Sequence, residues 1–105
     1  HVVAITGSLG KTMAKEFVST LLEGSYKVFK TPGNANSQIG LPLAILNEFD
    51  GQDVAVLEMG MTHPGQIKKL ISIAPPDIAL ITKVALVHAE NFPSLEAIGH
   101  TKGEI

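Results

Sequence analysis

Four short runs rich in apolar residues divide the chain. They cover Val2–Thr6, Tyr26–Lys30, Val54–Met59 and Ile78–Thr82. The continuous apolar run of Val2–Thr6 is typical of a strand buried on both faces of a parallel sheet. We therefore predict four strands in one sheet.

Helical periodicity fills the segments between these strands. Met13, Phe17 and Leu21 recur at four-residue spacing with Ala14, Val18 and Leu22 alongside, which predicts a helix with a broad apolar face. The predicted helices run from near Lys11 to near Gly24, over Leu41–Phe49, from Ile67 to Ala74, and over Leu95–Ile105 after an N-cap at Ser94. Strands that alternate with helices predict an α/β fold, an open and mainly parallel sheet with flanking helices and right-handed crossovers.

Composition narrows the class of protein. The 105 residues give room for one domain, and 45% apolar with 17% charged residues fits a soluble, well-buried α/β protein. A net charge of −2 gives no electrostatic reason to expect nucleic acid or an anionic membrane as partner. No cysteine is present, which excludes disulfides and thiolate metal sites, and no apolar run is long enough to span a membrane.

The stretch after the first strand has the composition of a phosphate-binding loop. It reads Thr6-Gly7-Ser8-Leu9-Gly10-Lys11-Thr12, a strand end, a glycine turn and a helix start. Backbone N–H groups in such a turn point at an anion, the lysine lies along the outer phosphates, and the threonine hydroxyl faces a magnesium ion. Ile5 stands where the usual G-x-x-x-x-G-K-[ST] spacing has its first glycine, so the loop matches a shorter T-G-x-x-G-K-T variant.

Further polar residues follow the other predicted strands. Asn34 and Asn36 come after the second strand, Glu58 ends the third, and His88 follows the fourth. Ligands of open parallel sheets bind beyond the carboxyl ends of the strands, so these residues should share one edge with the glycine loop. A carboxylate at the end of a buried strand is costly unless it is paired or binds a cation, and Mg²⁺ shared with ATP phosphates would supply that partner. The alternative is that Glu58 simply reaches solvent at the strand end.

Several of these residues have a second interpretation that the pattern leaves open. Asn34 and Asn36 suit turns as well as ligands, and His88 could be an ordinary surface histidine. Periodicity alone makes Lys102 an exposed helix lysine. It likewise places the side chains of Lys15, Glu16, Lys68 and Lys69 on solvated helix faces.

The motifs together resemble the central ATPase domain of the Mur ligase family. They are the glycine-lysine-threonine loop, Thr31-Pro32-Gly33-Asn34-Ala35-Asn36, Ile39-Gly40-Leu41-Pro42-Leu43, Leu57-Glu58-Met59-Gly60, His63-Pro64-Gly65 and Thr101-Lys102-Gly103-Glu104-Ile105. The loop alone is shared with folylpolyglutamate synthases. The other motifs are most similar to the branch that adds D-alanyl-D-alanine to UDP-N-acetylmuramoyl-tripeptide.

The resemblance implies specific roles for individual residues. It implies that Gly7, Ser8, Leu9, Gly10, Lys11, Thr12 and Asn34 bind ATP, and that Thr12, Glu58, His88 and Lys102 bind Mg²⁺. Lys102 matches a lysine that the family carbamylates. The resemblance therefore implies that Lys102 is an oxygen ligand of the metal and not an ordinary exposed lysine. Lys11, His88 and Lys102 are the residues expected to serve catalysis.

The resemblance also implies an activity. It is ATP-dependent amide ligation in peptidoglycan synthesis, through an acyl phosphate, in the bacterial cytoplasm and with a monomeric enzyme. Residues 1–105 would be the first part of the central domain of a longer chain, inactive alone. Two alternatives stay open, namely another Mur-type or folylpolyglutamate-type ligase and a non-catalytic nucleotide-binding module. Leu9, Met13, Ser37 and Lys83 depart from the family pattern, and these departures remove none of the residues assigned to phosphate or metal.

Overall fold

The structure is a computed structural model that describes all of residues 1–105. Strands and helices alternate from end to end, as predicted. They are β1 Val2–Thr6, α1 Lys11–Glu23, β2 Val28–Lys30, α2 Gly40–Glu48, β3 Val54–Glu58, α3 Gln66–Ile73, β4 Ile78–Ile81 and α4 Leu95–Lys102. The four strands form one parallel sheet in the order β2-β3-β1-β4, so the predicted α/β architecture is confirmed.

Strand alternation divides the core between the two faces of the sheet. Val3 and Ile5 of β1 and Val54 and Val56 of β3 face one side, where Ala14, Val18 and Leu22 of α1 pack against them. The larger core lies on the other face. Its buried residues include Ala4, Phe29, Leu41, Leu57, Ile67, Leu70 and Ile98 from the sheet and from α2, α3 and α4.

Only one of the two apolar rows predicted for α1 packs against the sheet. Met13, Phe17 and Leu21 are 66%, 65% and 80% exposed, because the neighbouring row of Ala14, Val18 and Leu22 makes the contact with the sheet. The limits of the other elements differ from the predictions by up to three residues. At the edge of the sheet, all four residues of β4 are exposed.

The chain contains no helix that is both long and apolar enough to cross a membrane.

Candidate functional site

The glycine loop crosses from β1 to α1 at the carboxyl edge of the sheet. Gly10 has a φ of 82° and is the residue before the first turn of α1. No side chain caps this helix start and no acidic residue lies in its first turn. The first backbone N–H groups of α1 are therefore free to meet an anion, which the helix dipole also favours.

Hydrogen bonds to the segment after β4 hold the loop in shape. The Ser8 N–H donates to the Lys83 carbonyl at 2.6 Å, and the Ser8 hydroxyl donates to the Ala85 carbonyl at 3.0 Å. The Thr82 hydroxyl donates to the Leu9 carbonyl at 2.6 Å. A Cβ on Gly7 would overlap Thr82 Oγ1, so the close approach of the two segments requires glycine there.

Lys11 begins α1 and folds back over the loop. Its Nζ donates a 3.0 Å hydrogen bond to the Gly7 carbonyl, so the charge lies above the turn. An ammonium in this position can bind the outer phosphates of a nucleotide whose inner phosphates lie on the loop.

Thr12 and Glu58 meet beside the loop. The Thr12 hydroxyl donates to Glu58 Oε2 at 2.9 Å, and Asn36 Nδ2 donates to Glu58 Oε1 at 2.8 Å. Glu58 is 1% exposed, so its charge depends on these partners and on Lys15 Nζ, 3.7 Å from Oε2. Strand alternation explains the meeting, because Val54, Val56 and Glu58 all project toward α1.

This donor set suits a hard divalent cation. The chain has no group of three histidine, cysteine, aspartate or glutamate side chains arranged to hold a metal by themselves. Thr12 and Glu58 nevertheless place a hydroxyl and a carboxylate oxygen side by side, next to a glycine loop and an uncapped helix start. Mg²⁺ is usually held by one or two protein carboxylates together with water and nucleotide oxygens, so these residues fit it.

A polar cavity of about 400 Å³ opens beside Lys11. It is lined by Lys11, His88, Gln66, residues 36–39 and residues 60–62. Lys11 and His88 are its only basic lining residues, and no carboxylate lines it. The cavity therefore suits an anionic or hydrogen-bonding ligand better than a cation.

The structure places His88 and Asn34 differently within this region. His88 is exposed on the cavity wall and has a φ of 55°, a left-handed conformation that is uncommon outside glycine and costs some backbone strain. Asn34 lies exposed in the turn after β2 and is not among the cavity-lining residues. Its neighbour Asn36 is the residue that bonds Glu58.

Lys102 is buried, although the helical pattern of the sequence predicted an exposed side chain. It is 2% exposed at the end of α4, a helix whose N-cap Ser94 accepts a hydrogen bond from the Ala97 N–H as predicted. Burial, with a smaller contribution from the positive charge of Lys11, lowers the pKa of Lys102 to about 8. A lysine in this state is partly neutral near physiological pH, and a neutral amine is the form that can react with CO₂.

Lys15 is the residue that sequence reasoning missed. It was expected on a solvated face but is fully buried, with Nζ 2.7 Å from the Thr31 carbonyl and 2.6 Å from the Gly33 carbonyl. Its position three residues after Thr12 puts both side chains on the same helix face, which was the available signal.

Comparison with known proteins settles the family. The Mur ligase middle domain matches residues 5–105. The chain belongs to the Mur ligase family.

Named relatives of this Mur ligase domain point to one branch. The UDP-N-acetylmuramoyl-tripeptide–D-alanyl-D-alanine ligases of Borreliella burgdorferi and Bacillus subtilis are each 43% identical to it, over 98% and 100% of the chain. The chain spans 22% and 23% of the lengths of these two relatives.

Solved structures agree with that assignment. The MurF ligase of Thermotoga maritima, determined in complex with ADP, superposes with a TM-score of 0.93 at 50% identity, covering 98% of this chain and 24% of that one. A pseudomurein peptide ligase type C from Methanothermus fervidus superposes with a TM-score of 0.78 at 28% identity, covering 98% and 21%. The fold is thus shared beyond the peptidoglycan ligases.

Proposed function

We propose that this domain binds ATP and Mg²⁺ for a ligase that adds D-alanyl-D-alanine to UDP-N-acetylmuramoyl-tripeptide in peptidoglycan synthesis. The observation that carries the proposal is the Thr12–Glu58 pair beside Lys11 and an uncapped helix start. The relatives that carry this ligase name at 43% identity support the choice of substrates.

The nucleotide would lie along the glycine loop. Backbone N–H groups from Gly7 to Thr12 would receive the phosphates, and the Lys11 ammonium would swing from the Gly7 carbonyl to the outer phosphates. Thr12 and Glu58 would hold Mg²⁺. When bound, Mg²⁺ offsets the negative charge of the phosphates.

The proposed reaction has two displacements. A carboxylate oxygen of the tripeptide attacks the γ-phosphorus of ATP, which forms an acyl phosphate and releases ADP. The amine of D-alanyl-D-alanine then attacks the acyl carbon, releases phosphate and loses a proton to form the amide. This domain would contribute Lys11 and the loop amides, which stabilise charge on the phosphoryl oxygens as it develops.

His88 and Lys102 are proposed to complete the metal site. His88 lies on the wall of the cavity that begins at Lys11, and Lys102 is close enough to Lys11 for the two charges to interact. The lowered pKa of Lys102 supports carbamylation, which would turn a buried cation into an anionic oxygen ligand. Asn34 is proposed to reach the γ-phosphate from the turn after β2.

The decisive experiment is turnover by the full-length protein with Lys11→Ala. Phosphate release that depends on D-alanyl-D-alanine should fall by at least about 100-fold, because a charge aimed at the phosphates is lost. Lys27→Ala is the matched control, since Lys27 is exposed just before β2 and far along the chain from the loop. Normal turnover in Lys11→Ala would contradict the assignment.

A second candidate is a sister ligase with a different acceptor. The likeness to a pseudomurein peptide ligase favours testing it. Acceptor competition between D-alanyl-D-alanine and single amino acids distinguishes the two, and preference for a single amino acid would move the chain to the sister class. ATP binding without turnover on any acceptor would instead indicate a nucleotide-binding module.

We also propose that residues 1–105 are the first part of a larger central domain in a monomeric enzyme of the bacterial cytoplasm. The short share of each relative that the chain spans supports only the part of this proposal that makes the chain one piece of a longer protein. Residues 1–105 alone should show no ligation, and measurable ligation by them would contradict the proposal.

A further inference from the structure

Lys15 is a buried cation with no part in the proposed reaction. Its side chain is fully buried on α1, and its Nζ donates to the carbonyls of Thr31 and Gly33 at 2.7 and 2.6 Å. Two carboxylates lie further off, Glu16 at 3.6 Å and Glu58 at 3.7 Å. Removing an ammonium from water costs several kcal/mol. The hydrogen bonds to the Thr31 and Gly33 carbonyls offset much of that cost.

Both carbonyls belong to the turn that follows β2. This turn, Thr31–Asn36, ends at the amide that bonds Glu58 Oε1. The Asn36 carbonyl also accepts from the Gly60 N–H at 2.8 Å, just beyond β3. Thr31 is joined to β3 as well, because its hydroxyl oxygen accepts from the Glu58 N–H at 3.1 Å. The turn therefore contacts Glu58 at both of its ends, the backbone N–H through Thr31 and the carboxylate through Asn36.

Lys15 is the link between this turn and the helix of the glycine loop. Thr12 and Lys15 project from the same face of α1, and both approach Oε2 of Glu58, at 2.9 and 3.7 Å. The helix thus positions the carboxylate directly through Thr12. It also holds the turn that carries Asn36 through the two carbonyls bound by Lys15.

We propose that Lys15 is a positioning residue that fixes the Thr31–Asn36 turn against α1 and thereby sets the orientation of the Glu58 carboxylate for the metal. The second half of this inference rests on the proposed function, since it requires Mg²⁺ at Glu58. The first half, anchoring of the turn, is independent of any ligand.

Anchoring is tested by amide hydrogen exchange of the full-length protein without ligand. Lys15→Met keeps an apolar stem of similar length but removes the donors to both carbonyls. Exchange should quicken in residues 31–36 and stay unchanged in β1. Ser19→Ala is the matched control, because Ser19 is buried on the same helix and its hydroxyl has no hydrogen-bond partner. Unchanged exchange of the turn in Lys15→Met would overturn the proposal.

The link to the metal is tested by ADP binding with and without Mg²⁺. Lys15→Met should bind ADP alone within about threefold of the parent, because the loop amides are untouched. The Mg²⁺ concentration for half-maximal enhancement should rise by about 10- to 100-fold, the usual cost of losing a residue that orients a metal ligand. Equal weakening with and without Mg²⁺ would show a merely structural role and overturn the proposal.

If Lys15→Met does not fold, a second variant with a shorter uncharged side chain, Lys15→Gln, tests the same proposal. Lys15→Gln keeps an amide that can donate to one carbonyl, so it should show the same pattern with smaller changes. An unaltered Mg²⁺ dependence in a folded Lys15→Gln protein would overturn the proposal. If the parent itself gains no ADP affinity from Mg²⁺, the proposed function fails while the exchange result still decides the anchoring.

Discussion

The hydroxyl of Thr12 lies 2.9 Å from Glu58 Oε2, although the two residues are 46 positions apart in the chain. Each is placed by a rigid element, Thr12 by the first turn of α1 and Glu58 by the end of β3. The pair therefore presents two oxygens side by side with little freedom to separate. Preorganised oxygens of this kind are what a magnesium ion bound to nucleotide requires.

Replacing Thr12 by valine should weaken the effect of Mg²⁺ on ADP affinity, in addition to removing one hydrogen bond to Glu58. Thr12→Val keeps the shape of the side chain but loses the oxygen, so Mg²⁺ should enhance ADP affinity at least about 10-fold less than in the parent. Thr12→Ser retains the hydroxyl and should behave like the parent. Titration calorimetry with and without Mg²⁺ measures both, and an undiminished enhancement in Thr12→Val would exclude Thr12 as a ligand.

Gly7→Ala should destabilise the protein through a clash with Thr82. A Cβ at Gly7 would overlap Thr82 Oγ1 and lie 3.2 Å from the Lys83 nitrogen, so we expect a loss of about 2–4 kcal/mol in unfolding free energy. Gly10→Ala is the matched comparison, since its Cβ would meet nothing within 4 Å and only the φ of 82° is strained, at about 1 kcal/mol.

A double-mutant cycle identifies the clash as the cause. In a Thr82→Ala background the cost of Gly7→Ala should fall, because the overlapping oxygen is gone. Denaturant unfolding of the four proteins gives the coupling energy. A coupling energy near zero would mean that backbone conformation, and not contact with Thr82, demands glycine at this position.

The fold could be predicted because its signals are local. Strand β1, the glycine turn and the start of α1 follow one another within a dozen residues, and each has its own composition. The order of the strands then brings Glu58 to the same edge without further information. The sequence does not show which apolar row of α1 faces the sheet, because Met13 and Ala14 begin adjacent rows. Packing on the sheet selects the row of Ala14.

Buried charges were harder to predict for a physical reason. Lys15 and Lys102 look like any helix lysine in sequence, because their burial depends on backbone carbonyls and elements distant in the chain. Family resemblance assigned a function to Lys102, and its burial fits that role. Nothing comparable drew attention to Lys15, whose partners Thr31 and Gly33 are visible only in the fold.

Asn34 and Asn36 should have separable effects. Asn36→Ala leaves Glu58 Oε1 without its 2.8 Å donor, so unfolding free energy should fall by about 1–3 kcal/mol and Mg²⁺ dependence should weaken. Asn34 is exposed, so Asn34→Ala should leave stability unchanged and lower affinity for ATP but not for ADP, if it reaches the γ-phosphate. Equal loss of ATP and ADP affinity in Asn34→Ala would contradict that role.

Lys102 should make stability rise with pH in the alkaline range. Its pKa is about 8 in the fold and near 10.5 when the chain is unfolded, so between these values the unfolded chain binds more protons. Unfolding free energy should therefore increase from pH 8 to pH 10.5, by about 3 kcal/mol from this group alone. Below pH 8 the Lys102 ammonium is charged in the fold, and the full cost of burying it lowers stability. Denaturant unfolding in CO₂-free buffer measures it, with Lys102→Met as reference. If parent and variant show the same pH dependence, Lys102 does not titrate in this range.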